Sequence, residues 1–69
     1  MDVKSPMVGK IIEVVVEPGI AVEADDDLVI IESMKMEIPV AAPQAGTVRE
    51  VRVSSGDTVQ EGDVLLVLD

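Results

Sequence analysis

Cysteine, histidine, phenylalanine, tyrosine and tryptophan are all absent from the 69-residue chain. Without cysteine there is no disulfide to stiffen a small fold and no thiolate to hold a metal. Without histidine the commonest general base and transition-metal ligand are gone. Without aromatic rings there is no platform on which nucleic-acid bases could stack. A catalyst built from what remains would rest on carboxylates, hydroxyls and a few lysines, so the composition argues against an enzyme. Positive charge is scarce too: five Lys and Arg stand against 14 Asp and Glu, a formal net charge of −9. Such a surface repels phosphate backbones and anionic lipid, which makes nucleic acid and membrane poor partners and basic protein surfaces good ones. No apolar run approaches the roughly 20 residues that span a bilayer, and no positively charged leader precedes an apolar stretch. The expected compartment is the cytoplasm, and the charge favours a monomer for the isolated domain.

What is present is a chain that is 48% hydrophobic and rich in Val and Ile, which is a folding composition rather than a disordered one. Its length suits a single domain over residues 1–69. A domain of this size buries only about 60% of the surface its unfolded chain exposes, so a thin core is expected.

The chain is one motif written twice. Shifted by 37 positions, Gly9–Glu32 lies over Gly46–Asp69 without a gap. Val3 meets Val40, Pro6 meets Pro43, Gly9 meets Gly46, Gly19 meets Gly56, Asp26 meets Asp63 and Leu28 meets Leu65. Each half reads as a short strand (Val3–Ser5, Ile38–Ala42), a proline-containing bend and a longer strand (Lys10–Val16, Thr47–Val53). A Pro18-Gly19 or Ser55-Gly56 turn follows, of a kind in which glycine accepts the positive φ of a type II turn. A very short strand (Ala21–Val22, Thr58–Val59), a polar turn and an apolar strand (Leu28–Ile31, Val64–Leu68) close each half. No stretch carries a helical period. Eight short strands in two equivalent halves predict an all-β sandwich of two four-stranded antiparallel sheets with pseudo-twofold symmetry. The apolar closing strands suit central positions, and Pro6, Pro39 and Pro43 suit edges or bends. Asp25 stands where its twin is Gly62, and aspartate is among the few other residues that tolerate a left-handed backbone.

One segment falls outside the repeat: Ser33-Met34-Lys35-Met36-Glu37-Ile38-Pro39. It joins the halves, so it is expected to form a hairpin on the symmetry axis. Its tip, Met34-Lys35, has none of the Gly, Asn or Asp that a two-residue hairpin wants. A break in local rules at an exposed position is where function is expected. On the residues alone, Lys35 reads better as a solubilising charge at a strand end. Met36, alternating with Ile38 and Val40, reads equally as core or as surface.

Glu32-Ser33-Met34-Lys35-Met36-Glu37 resembles the biotin-attachment motif of biotinyl domains, in which Glu-Ala/Ser-Met-Lys-Met surrounds the modified lysine. Ser5-Pro6-Met7-Val8-Gly9-Lys10, Ala42-Pro43 through Gly46, and Glu61-Gly62-Asp63-Val64-Leu65 resemble the rest of such domains, so the likeness covers essentially the whole chain. The resemblance implies a flattened barrel of two four-stranded sheets, the barrel-sandwich hybrid, with the lysine in an exposed hairpin turn. It implies biotin joined covalently to Lys35, with Met34 and Met36 as flanking recognition residues and Glu32, Ser33 and Glu37 as their hairpin context. The implied partners are biotin protein ligase, biotin carboxylase and a carboxyltransferase, between which the arm would carry a carboxyl group. An acetyl-CoA or other acyl-CoA carboxylase, and hence fatty acid biosynthesis, is the setting it suggests. The direct run from Pro18-Gly19 to Leu28 leaves no room for the protruding thumb of some carriers. A Pro/Ala-rich N-terminal linker is also missing, which fits either a stand-alone short carrier or an excised C-terminal domain.

Two rival readings remain. Lipoyl domains resemble the chain in fold but usually carry Asp-Lys-Ala where it has Met34-Lys35-Met36. An unmodified hybrid-sandwich interaction module would use the hairpin only as a contact surface. A cation site at Glu23 and Asp25-Asp26-Asp27 would need spaced oxygen ligands and a distal glutamate that the sequence does not supply, so these residues read as a solvated acidic turn.

Overall fold

The computed structural model describes residues 1–69. Eight strands follow one another: β1 (Asp2–Lys4), β2 (Gly9–Val14), β3 (Ala21–Val22), β4 (Asp27–Ser33), β5 (Met36–Ala41), β6 (Gly46–Val51), β7 (Thr58–Val59) and β8 (Val64–Leu68). They form two four-stranded antiparallel sheets, ordered β1-β8-β6-β3 and β5-β4-β2-β7, which do not join into a closed barrel. Away from the β4–β5 turn, the pairs of one sheet's ladders recur 37 positions apart in the other's. Ile11 faces Ile31 as Val48 faces Leu68, and Gly9 faces Val59 as Val22 faces Gly46.

Each half of the chain supplies two strands to each sheet. Neither half can therefore bury its own apolar face, and the halves interlock. The apolar closing strands β4 and β8 occupy interior positions, flanked on both sides. Ile11, Leu28, Ile31, Val48, Leu65, Leu66 and Leu68 are fully buried in one continuous cluster between the sheets. Truncating any of these leucines to alanine would cost about 2–5 kcal/mol. Pro39 lies on β5, an edge strand, where no ladder partner needs its missing N–H.

The long strands differ from the period-two expectation at one point. Ile11 and Val14 both turn toward the core although three residues separate them. A β-bulge absorbs the extra residue: the register skips between Ile11 and Glu13, and at the twin position between Val48 and Glu50. Strands expected to reach Val16 and Val53 end at Val14 and Val51, after which the backbone bonds on through the Val15 and Arg52 N–H groups before turning. Asp25 adopts φ 72° where its twin Gly62 has φ 90°, so the aspartate takes up the left-handed turn that the repeat requires.

The two ends of the molecule differ. Strand β5 runs away from the β4–β5 turn to Ala41, and past the bend at Pro43 Gly46 packs on Asp69, whose carbonyl oxygen would lie 2.7 Å from an added Cβ. The Met1 amino group donates a hydrogen bond to the Leu68 carbonyl. Both chain termini thus meet at the end opposite the hairpin. The hairpin is consequently not on the symmetry axis: its twin under the repeat is the gap between Asp69 and Met1.

At the hairpin end, Gly9 allows β2 to press against β4. A Cβ there would overlap the Ile31 side chain and lie 2.8 Å from the Glu32 carbonyl oxygen, a backbone atom that cannot swing aside. Gly9→Ala is expected to lower stability by about 1–3 kcal/mol, read as an earlier urea midpoint at unchanged slope. An unchanged midpoint would show that the strands can separate without loss.

Candidate functional site

Strands β4 and β5 pair from Asp27↔Ala41 to Ser33↔Met36, which leaves Met34 and Lys35 to reverse the chain. A two-residue reversal matched to the right-handed twist of its strands requires positive φ at both central residues. Met34 has φ 51° and Lys35 φ 65°. With Asp25 they are the non-glycine residues of the chain in this region. A side chain in left-handed backbone costs about 1–2 kcal/mol per residue. The ladder beneath overcomes that cost: Ile31 faces Ile38 and Val29 faces Val40, and Ile31, Val29 and Val40 are all buried.

This conformation turns the tip side chains into solvent. Met34 is 93% exposed and Lys35 is exposed. The alternation of Met36, Ile38 and Val40 fades toward the tip, from 8% exposure at Val40 through a half-buried Ile38 to 64% at Met36. Met36 is therefore surface, because the hairpin outruns the core. Lys35 takes part in neither of the two side-chain ion pairs, Arg49–Asp69 and Arg52–Glu50. Its amine stands free on a stiff mount.

Below the tip, Glu32 faces Glu37 across one ladder and Lys10 across the other, and all three are exposed. Carboxylates directly opposite each other repel. Lys10, which sequence reasoning did not single out, offsets part of that repulsion and leaves a net acidic collar under Lys35. Its only sequence signal was its position beside Gly9, since cross-strand neighbours become visible only once the register is known. A shallow cleft of about 320 Å³ opens here, lined by Lys10, Glu32, Glu37 and Ser55 among others. Ser33 completes the site as the last residue of β4.

The acidic turn has a structural use. The Asp26 carboxylate accepts a hydrogen bond from the Glu23 N–H at 2.9 Å, as its twin Asp63 does from the Gln60 N–H at 2.8 Å. Each closes the turn before a core strand, and no three acidic side chains converge as a metal centre.

Fold and site together define a carrier-type domain: a two-sheet mount that holds one lysine clear of its surface. The family model described as "Biotin-requiring enzyme" matches residues 1–68, and the chain belongs to that family. It is 49% identical to a "Biotinylated protein TB7.3 homolog" of Mycobacterium leprae, over 97% of this chain and 94% of that protein. Among solved structures it resembles Kluyveromyces lactis urea carboxylase, with a TM-score of 0.94 and 35% identity, covering all of this chain and 6% of that one. It also resembles the lipoyl domain of the Azotobacter vinelandii 2-oxoglutarate dehydrogenase complex, with a TM-score of 0.83 and 32% identity, covering all of this chain and 95% of that one.

The strain at the tip is measurable. Replacing Met34-Lys35 by Asn-Gly (M34N/K35G) is expected to stabilise the fold by about 1 kcal/mol, seen as a higher melting temperature. A lower melting temperature would mean that Met34 or Lys35 holds the hairpin together.

Proposed function

We propose that this chain is a biotin carboxyl carrier domain, spanning residues 1–69, with biotin joined to Lys35. The observation that carries this reading is the Lys35 amine, exposed and unpaired at the apex of a turn whose left-handed backbone costs stability. Two exposed methionines flank it without contributing to the core. An ordinary hairpin would place glycine or asparagine there. Retaining Met-Lys-Met at a cost in stability is explained when another protein reads the tip.

Deprotonated, the Lys35 amine is a nucleophile. In the site of a biotin protein ligase it attacks the activated carboxyl carbon of biotin, an amide forms, and the adenylate leaves as AMP. When bound, biotin supplies a ureido nitrogen that accepts a carboxyl group at a biotin carboxylase and yields it at a carboxyltransferase. The domain's residues supply position. Hairpin β4–β5 keeps the attachment point stiff, and tethering gives the arm a high effective concentration at both sites. Amide formation also removes one positive charge from a surface already at −9, which sharpens its attraction to basic docking surfaces.

Biotin is favoured over lipoyl by Met34 and Met36 on either side of Lys35, and by the close relative whose name records biotinylation. An unmodified interaction module would also account for an exposed tip, but not for the Met-Lys-Met signature that resembles the biotin-attachment motif. An acyl-CoA carboxylase, serving fatty acid biosynthesis in the cytoplasm, is the proposed setting. The acceptor is selected by the carboxyltransferase, since a urea carboxylase carries a domain of the same fold.

Incubation with purified biotin protein ligase, biotin and MgATP tests this reading. The wild-type chain is expected to be retained by streptavidin. Lys35→Arg, which keeps the charge, is expected to pass through even though Lys4 and Lys10 remain. Retention of the arginine variant would move the attachment site elsewhere.

A further inference from the structure

The tip is also where this chain meets oxidants. Cysteine, histidine, tyrosine and tryptophan are absent, so the thioethers of its four methionines are the readily oxidised side chains. These sulfurs are not equivalent. Met34 is 93% exposed, Met36 64% and Met1 52%, while Met7 is partly buried. Met34 and Met36 flank Lys35, and neither belongs to the core cluster. Oxidising them therefore alters the surface around the lysine and leaves the packing that holds the fold untouched.

We infer that Met34 and Met36 form a peroxide-sensitive modification site, and that their conversion to sulfoxides closes the tip to the biotin ligase. The second half of this inference rests on Lys35 being the biotin attachment site. In the reaction, a sulfur lone pair attacks one oxygen of hydrogen peroxide. The S–O bond forms as the O–O bond breaks, and the thioether loses two electrons. The departing hydroxide takes the proton left on the transferred oxygen and leaves as water. Each event turns a flexible apolar side chain into a polar, chiral one. A ligase surface that accepts two thioethers beside the lysine would then have to desolvate two sulfoxide oxygens. The change is reversible, because methionine sulfoxide reductases restore the thioether at the expense of a dithiol. The acyl-accepting lysine would thus be open under reducing conditions and closed under peroxide stress, with no change in the protein's amount or fold.

The apo-chain treated with hydrogen peroxide and mapped by peptide mass is expected to gain oxygen, ~16 Da each, at Met34 first and at Met36 before Met7. At the point where both tip methionines are oxidised, the initial rate of labelling by ligase, biotin and MgATP is expected to fall about tenfold, as when an unpaired polar group is pressed into an apolar contact. The urea midpoint is expected to stay where it was. Methionine sulfoxide reductases A and B together, with dithiothreitol, are expected to return the rate. A Met7→Leu variant is expected to respond to peroxide as the wild type does. Oxidation of Met7 ahead of Met34, an unchanged labelling rate, a shifted midpoint, or a rate loss that Met7→Leu abolishes would each overturn the inference. An untreated chain that takes no biotin at all would instead refute the carrier reading, and the order of oxidation along the chain would still be read.

Discussion

The chain must reverse between β4 and β5 in two residues, neither of them glycine, and the rest of the structure serves that reversal. Met34 and Lys35 hold their left-handed backbone because six cross-strand pairs fix the strands on either side. Those strands are anchored in turn by Val29, Ile31 and Val40, which reach the shared core. A softer hairpin would relax the turn and let the lysine wander over the surface. A tip of Asn-Gly would be more stable and would present nothing. On the proposed reading, stability is given up at the one place where a side chain is offered to another protein.

The duplicated architecture makes that concession tolerable. Because each half contributes two strands to each sheet, both halves share one core, whose burial outweighs a small strain at one loop. The symmetry also concentrates what is particular to this chain. The turn glycines Gly19 and Gly56, the bulges after Ile11 and Val48, and the turns closed by Asp26 and Asp63 recur at positions 37 apart, and so belong to the mount. The hairpin has no counterpart except the opening where the termini meet.

Much of this was legible in the residues. The 37-residue repeat led to eight strands, two sheets and interior places for Leu28–Ile31 and Val64–Leu68, because glycines and apolar positions recur together. Asp25 standing in for Gly62 correctly announced a positive φ. Met34-Lys35 as the tip followed from the repeat's failure to cover it. Four features did not show. The bulges after Ile11 and Val48 are invisible to a strict period of two, since they shift the period itself. Met36 sits in an alternating run, and only the extent of the opposing sheet decides where burial stops. The acidic collar depends on ladder register, which brings Lys10 to Glu32 from 22 positions away. The hairpin's place at one end, rather than on the axis, required seeing that the termini occupy the equivalent position.

The central claim is that this fold exists to offer Lys35 for one covalent group, and intact mass tests it most directly. The chain would be expressed in cells that hold both biotin and lipoate ligases, weighed, and then digested to locate any adduct. A gain of ~226 Da on the peptide containing Lys35 is the predicted result, the mass of biotin in amide linkage. A gain of ~188 Da, a lipoyl group, would contradict the choice of cofactor, and no gain under active ligase would contradict the carrier itself.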